Sequence, residues 1–160
     1  MVANKKRLYV ALYPSGVTNN EERKQDSVPG MRYHVKNSAL EGWKYQELGL
    51  PDVRFTTSLL ARILIAKVED EDRLIAIFRS IPVIQNDPDW RCRTWLANAL
   101  QAIANDGKAV GTSELSWQNI EPIARQYVAQ KTSAGRYNDT KTIMMPRPTW
   151  DILTNRETVS

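Results

Sequence analysis

The sequence predicts a segregated α+β fold: a small antiparallel sheet from the N-terminal half, packed against C-terminal helices. Three observations predict it. Short stretches rich in β-formers, alternating in character, fill the first half of the 160-residue chain. Apolar residues at helical spacing fill the second. Strands that come first and helices that follow mark a segregated fold, since an α/β fold would alternate them.

Residues Arg7 to Tyr13 read as a buried strand that ends at Pro14, Ser15 and Gly16. Val17 to Gly30 is polar and closes on Pro29 and Gly30, so it reads as a long loop. In Met31 to Lys36, the residues Met31, Tyr33 and Val35 share one face, and Arg32, His34 and Lys36 share the other, which is the period of a strand. Trp43 to Leu48 repeats that alternation with Trp43, Tyr45 and Glu47 on one side, and Ala39 to Gly42 joins the two. Leu59 to Val68 is apolar except for Arg62 and Lys67. Its Ile63, Ile65 and Val68 favour a strand, while periodicity alone also admits a helix.

Asp70 can cap a helix that runs to about Ser80, with Leu74, Ile77, Phe78 and Ile81 at helical spacing and Pro82 as its stop. Asp87, Pro88 and Asp89 introduce a second helix from Trp90 to about Asn105, ended by Asp106 and Gly107. A third is expected over about Asn119 to Thr132, with Pro122 in its first turn. From Ser133 the pattern fades, and Met144 to Pro148 forbids helix. Residues 1–137 are therefore expected to form a single α+β domain and 138–160 an irregular C-terminal tail.

Composition narrows the function. Hydrophobic residues are 42% and charged residues 25% of the chain, ordinary globular usage that argues against global disorder. The net charge is +4, but the basic residues are scattered apart from Lys5, Lys6 and Arg7, which argues against a nucleic-acid surface. No apolar run approaches the ~18–20 residues of a membrane span. One cysteine excludes an internal disulfide and any multi-cysteine metal site. With no export signal in view, a cytoplasmic, reducing location is expected. Gly107 to Gly111 lacks the spacing and the Lys-Ser/Thr ending of a phosphate loop, and no His/Asp metal cluster is present, so no cofactor is expected.

Two residues carry the candidate chemistry. With Asp89 as cap, Cys92 is the third residue of its helix, where free N–H groups and the helix dipole favour a thiolate. Arg91 and Arg93 add positive charge there and Asp89 opposes them. Cys92 also falls on the apolar face with Trp95 and Leu96, so spacing favours its packing as a small hydrophobe. His34 is the chain's one histidine, and any Cys–His pair must use it. On its strand it lies on the polar side, the usual place of a solvated histidine.

The blocks Arg7 to Pro14 (RLYVALYP), Arg32 to Asn37 (RYHVKN), Trp90 to Leu96 (WRCRTWL), Asp106 to Thr112 (DGKAVGT) and Ala129 to Lys131 (AQK) together resemble a family of small uncharacterised fungal proteins. The likeness covers about residues 7 to 137. That family is distantly similar to circularly permuted papain-like domains, including the lecithin:retinol acyltransferase and NlpC-type groups. The resemblance implies a degenerate, permuted papain-like scaffold, with Cys92 at the nucleophile's position and His34 at that of an assisting histidine. The base of such domains lies in a His-Trp pair on an additional early strand. Val17 to Met31 holds neither histidine nor tryptophan, and Arg91 stands where asparagine is usual. A strand is therefore expected to be missing, leaving exposed sheet edges.

These readings favour a non-catalytic binding or accessory protein, whose partner is an unknown small molecule or protein, in a setting such as fungal specialised metabolism. The alternative is a thiol hydrolase or acyltransferase with Cys92 as nucleophile and His34 as base.

Overall fold

The computed structural model describes residues 5–14, 28–54, 58–143 and 145–160. Most of the loop expected over Val17 to Gly30 lies outside the described residues.

The strands of the first half form where alternation and β-formers place them. Strand β1 (Arg7–Leu12) pairs antiparallel with β4 (Ala61–Val68), and β2 (Gly30–Ser38) with β3 (Gly42–Leu50) in a regular hairpin. Gly42 closes that hairpin at φ 69°, a backbone conformation that glycine adopts without steric cost. Its main chain is tied to the loop that joins the first two helices: the Gln85 side chain brackets Trp43, accepting from its N–H and donating to its carbonyl. Strand β4 settles its helix-or-strand ambiguity. Every residue from Ala61 to Ala66 is buried, because both faces and both edges are covered, and such a central strand loses the alternation of a half-exposed one.

Helix α1 (Glu71–Ser80) is capped as expected, by an Asp70 carboxylate that accepts from the Arg73 N–H at 3.0 Å. Helix α2 (Cys92–Asp106) ends at Gly107, whose φ of 71° is the left-handed terminator. Strand β5 (Val110–Ser113) returns the chain to β4. Helix α3 (Trp117–Ser133) begins two residues before the expected start, so Pro122 sits in its second turn and removes the bond to the Gln118 carbonyl. Ile63 and Ile65 on one face of β4 share a core with Val10, Val35, Leu74, Phe78, Trp95, Leu100 and Ile120.

The α+β class holds, and the sheet differs from expectation in two respects. First, β2 and β3 form a sheet of their own, separate from β1 and β4. Second, residues 138–160 are not an irregular tail. After a short helix α4 (Thr140–Ile143), β6 (Thr149–Asp151) pairs parallel with β4, and β7 (Arg156–Val159) pairs antiparallel with β6. The main sheet is thus mixed. Pro146 and Pro148 do forbid helix, but proline tolerates extended chain, and the Pro148 carbonyl accepts the Arg62 N–H at 3.0 Å. The last two strands are held to α3, β7 by Lys131, 2.7 Å from Glu157, and β6 by the Tyr127 ring beside Trp150.

Candidate functional site: a cleft between two strand edges

A cleft of about 1370 Å³, lined by described residues, separates β1 from β2. Residues 6–14 and 28–36 line it one after another without a gap. Successive side chains of a strand point to opposite faces, so a cavity that meets every residue in turn lies along the strand's edge. Among the described residues β1 pairs with β4 alone and β2 with β3 alone. Their other edges border this cleft.

The two sides of the cleft differ. Toward the helices it is apolar: Tyr33 lies against Phe78 with ring centroids 4.8 Å apart, and Val35, Leu74, Trp95 and Leu100 continue that wall. Trp95 is 3% exposed, and its indole N–H has no hydrogen-bond partner among the described residues. On the opposite face the same strands carry Tyr9, Tyr13, Arg32, His34 and Lys36, joined there by Arg54 and Arg62. The Arg62 guanidinium lies 4.3 Å from the Tyr9 ring centre. Its Nε and Nη2 donate to Thr149 Oγ1 at 3.2 and 3.1 Å, and Nη1 donates to the Val53 carbonyl at 3.3 Å. Arg62 is 6% exposed, and burial pulls its pKa below the ordinary arginine value. Its oxygen partners here are a hydroxyl and a carbonyl, both neutral. The nearby Asp52 carboxylate makes its ion pair with Arg54 at 3.5 Å.

Both candidate residues of the sequence line this cleft, without meeting in a bond. His34 is half-buried, and its Nε2 lies 2.8 Å from Gln46 Oε1 across the hairpin. An amide oxygen in that place makes Nε2 the donor. Burial lowers the His34 pKa, the Gln46 bond raises it, and Arg32 and Lys36 lower it further. Cys92 is exposed and has no hydrogen-bond partner among the described residues.

The placement of Cys92 corrects two expectations. It is the first residue of α2, not the third: Arg91 occupies the cap position, and its N–H donates to Thr94 Oγ1 at 3.1 Å. Asp89 instead closes a turn, its N–H donating to Asp87 Oδ1. Nor does Cys92 pack in the core. The buried stripe of α2 begins at Trp95 and continues through Ala99, Leu100 and Ile103, and the turn before it projects past the core into the mouth of the cleft. Of the two indoles that flank it, Trp95 lines the cleft, while Trp90 is buried edge-on against Trp43 at 5.2 Å.

Sequence reasoning missed Arg62 as a site residue. The signal was a lone arginine in the most apolar run of the chain, where an unsupported cation would be costly. Groups of three or more potential metal ligands are absent among the described residues, and no described helix is long and apolar enough to cross a membrane.

The model of one family, described as a family of unknown function (DUF6914), matches residues 5–159 of the chain. No curated protein and no solved structure matches it.

Proposed function

Because the chain belongs to that family of unknown function, its own geometry carries the functional reading, and we propose a non-catalytic binding protein that receives its ligand in the cleft between β1 and β2. The observation behind this reading is that β1 and β2 turn their outer edges to one cleft in which, among the described residues, no hydrogen bond joins the thiol to the imidazole. A nucleophile and its base act through a hydrogen bond of about 2.6–3.2 Å, or somewhat looser without substrate. Among the described residues Cys92 makes no such bond to His34, whose Nε2–H donates to Gln46 and whose Nδ1 remains its basic nitrogen. A degenerate papain-like scaffold and a place in fungal specialised metabolism rest on that resemblance alone.

The thiol hydrolase or acyltransferase reading is supported by one observation: Cys92 opens α2 at the mouth of the cleft that His34 also lines. Two measurements separate the readings. Anilinonaphthalene sulfonate, an apolar anion, is expected to bind the folded chain at one site, and equally in Cys92→Ser and His34→Gln. Nitrophenyl butyrate is expected to be hydrolysed no faster by the wild type than by Cys92→Ser. Turnover that disappears in Cys92→Ser overturns the binding reading, as does failure to bind the apolar anion.

A further inference from the structure

We infer that the shallow pocket at the turn end of the β2–β3 hairpin binds a neutral sugar, one pyranose ring of a glycoside. This goes beyond the cleft reading and does not depend on it: the pocket and the cleft share no lining residue among those described.

The pocket encloses about 380 Å³, within the roughly 300–1,000 Å³ usual for small-molecule sites. Asn37, Gly42 and Trp43 of the hairpin form one side, and Gln85, Asn86, Asp87 and Pro88 of the loop between α1 and α2 form the other. The two sides are fixed to each other. The Gln85 carboxamide accepts the Trp43 N–H at 2.9 Å and donates to the Trp43 carbonyl at 2.5 Å. A Cβ at position 42 would stand 2.5 Å from Gln85 Oε1, so this approach needs glycine for space as well as for its φ of 69°. Trp43 is braced in turn by the buried Trp90, with ring centroids 5.2 Å apart. Walls that are set before a ligand arrives lower the ordering cost of binding.

The chemistry of the lining selects the ligand. Trp43 is half-buried and brings indole surface to the pocket, which suits the apolar C–H face of a sugar ring. Asn37 and Asn86 are exposed, and their carboxamides make no hydrogen bond among the described residues. A carboxamide donates and accepts at once, and so does a hydroxyl, so the two match in pairs. Asp87 accepts the Asp89 N–H on Oδ1 at 2.9 Å, and the remaining acceptor sites of its carboxylate suit further hydroxyl donors. The same negative charge disfavours a phosphate or carboxylate ligand. A cationic ligand would use Trp43 and Asp87 but leave the donor half of each carboxamide unmatched.

The test uses the full chain labelled with nitrogen-15 and the methyl α-glycosides of glucose, mannose and galactose. At least one glycoside is expected to move the backbone amide signals of Asn37, Gly42, Trp43, Asn86 and Asp87 along one saturating curve in the millimolar range. Asn86 holds φ 60°, so Asn86→Gly removes the carboxamide without straining the backbone. It is expected to weaken binding about three- to tenfold, the contribution of one neutral hydrogen bond. Asp87→Asn still accepts the Asp89 N–H and is expected to weaken binding about tenfold or more, since its bonds lose their charge. Tetrahydropyran-2-methanol, the same ring without its ring hydroxyls, is expected to leave the wild-type spectrum unchanged, and that comparison needs no variant.

Absence of a saturating shift with all three glycosides overturns the inference. So do equal affinities in the wild type and both variants, saturating shifts confined to residues of the cleft, and equal binding of tetrahydropyran-2-methanol. Tetramethylammonium that moves these amides while the glycosides do not overturns the sugar and assigns the pocket to a cation. Anilinonaphthalene sulfonate reports on the cleft alone, so the two readings stand or fall separately.

Discussion

Replacing Trp95 by phenylalanine and by alanine separates what its ring contributes from what its N–H costs. The indole is 3% exposed, with Phe78 and Tyr45 at centroid distances of 6.0 and 5.7 Å. Truncation to alanine removes the whole ring and is expected to cost about 3–5 kcal/mol. Phenylalanine keeps a six-membered ring against both neighbours and deletes the part that carries nitrogen. The lost apolar burial and the small void cost about 1.5–2.5 kcal/mol. Against that stands the N–H, buried without a partner among the described residues, whose removal restores about 1–3 kcal/mol. Trp95→Phe is therefore expected within about 1 kcal/mol of the wild type, while Trp95→Ala falls well below it. Urea unfolding followed by far-ultraviolet circular dichroism measures both, with stability read from the midpoint at constant slope. A phenylalanine variant as unstable as the alanine variant would refute the reasoning, because the N–H would then be satisfied in the native state.

Three further outcomes follow from the geometry. Cys92 is expected to react with one equivalent of a disulfide-exchange reagent in the folded chain, and Cys92→Ser to change stability by less than about 0.5 kcal/mol; labelling only after denaturation would contradict its exposure. Thr149→Val strips two of the three hydrogen bonds of the buried Arg62 guanidinium and is expected to cost about 2–3 kcal/mol, against little for Thr158→Val; equal midpoints for the two variants would contradict it. His34 has its folded pKa held below 6.5, chiefly by burial. Its neutral form is favoured by folding, so stability is undiminished above the ordinary histidine pKa and declines as pH falls through the lowered one. Unfolding midpoints of the wild type and His34→Gln should therefore converge above pH 7 and separate toward pH 5, with the wild type losing more; parallel curves would refute the shift.

Much of the architecture was legible because its signals are local. Alternation in Met31 to Lys36 and in Trp43 to Leu48 states which side chains share a face. Asp70 announces α1 three residues ahead of the N–H it caps. The last two strands were illegible for the opposite reason. They are three and four residues long, and β6 owes its form to parallel pairing with residues 62–64, far away in the chain. Proline in that region was rightly read as hostile to helix, yet extended chain accepts it.

The site was read in halves. Cys92 and His34 do line one cleft, but the cap was assigned to Asp89 when Arg91 holds that position. That error moved Cys92 two residues into the helix, and its spacing with Trp95 and Leu96 put it on the core. An apolar stripe marks which face of a helix is covered, and it does not mark where along the axis the cover ends. Arg62 was visible as an exception within β4, but its neutral partners come from Thr149 and Val53, and no spacing rule links those positions.

The pairing of β4 has a consequence for synthesis. Its partner β6 leaves the ribosome roughly eighty residues later, a delay of several seconds at the usual rate of translation. Until then the most apolar strand of the chain is held by β1 and β5 only, with the stretch at residues 62–64 open to whatever lies nearby. Nascent chains stalled before Thr149 should accordingly be the species that chaperones retain.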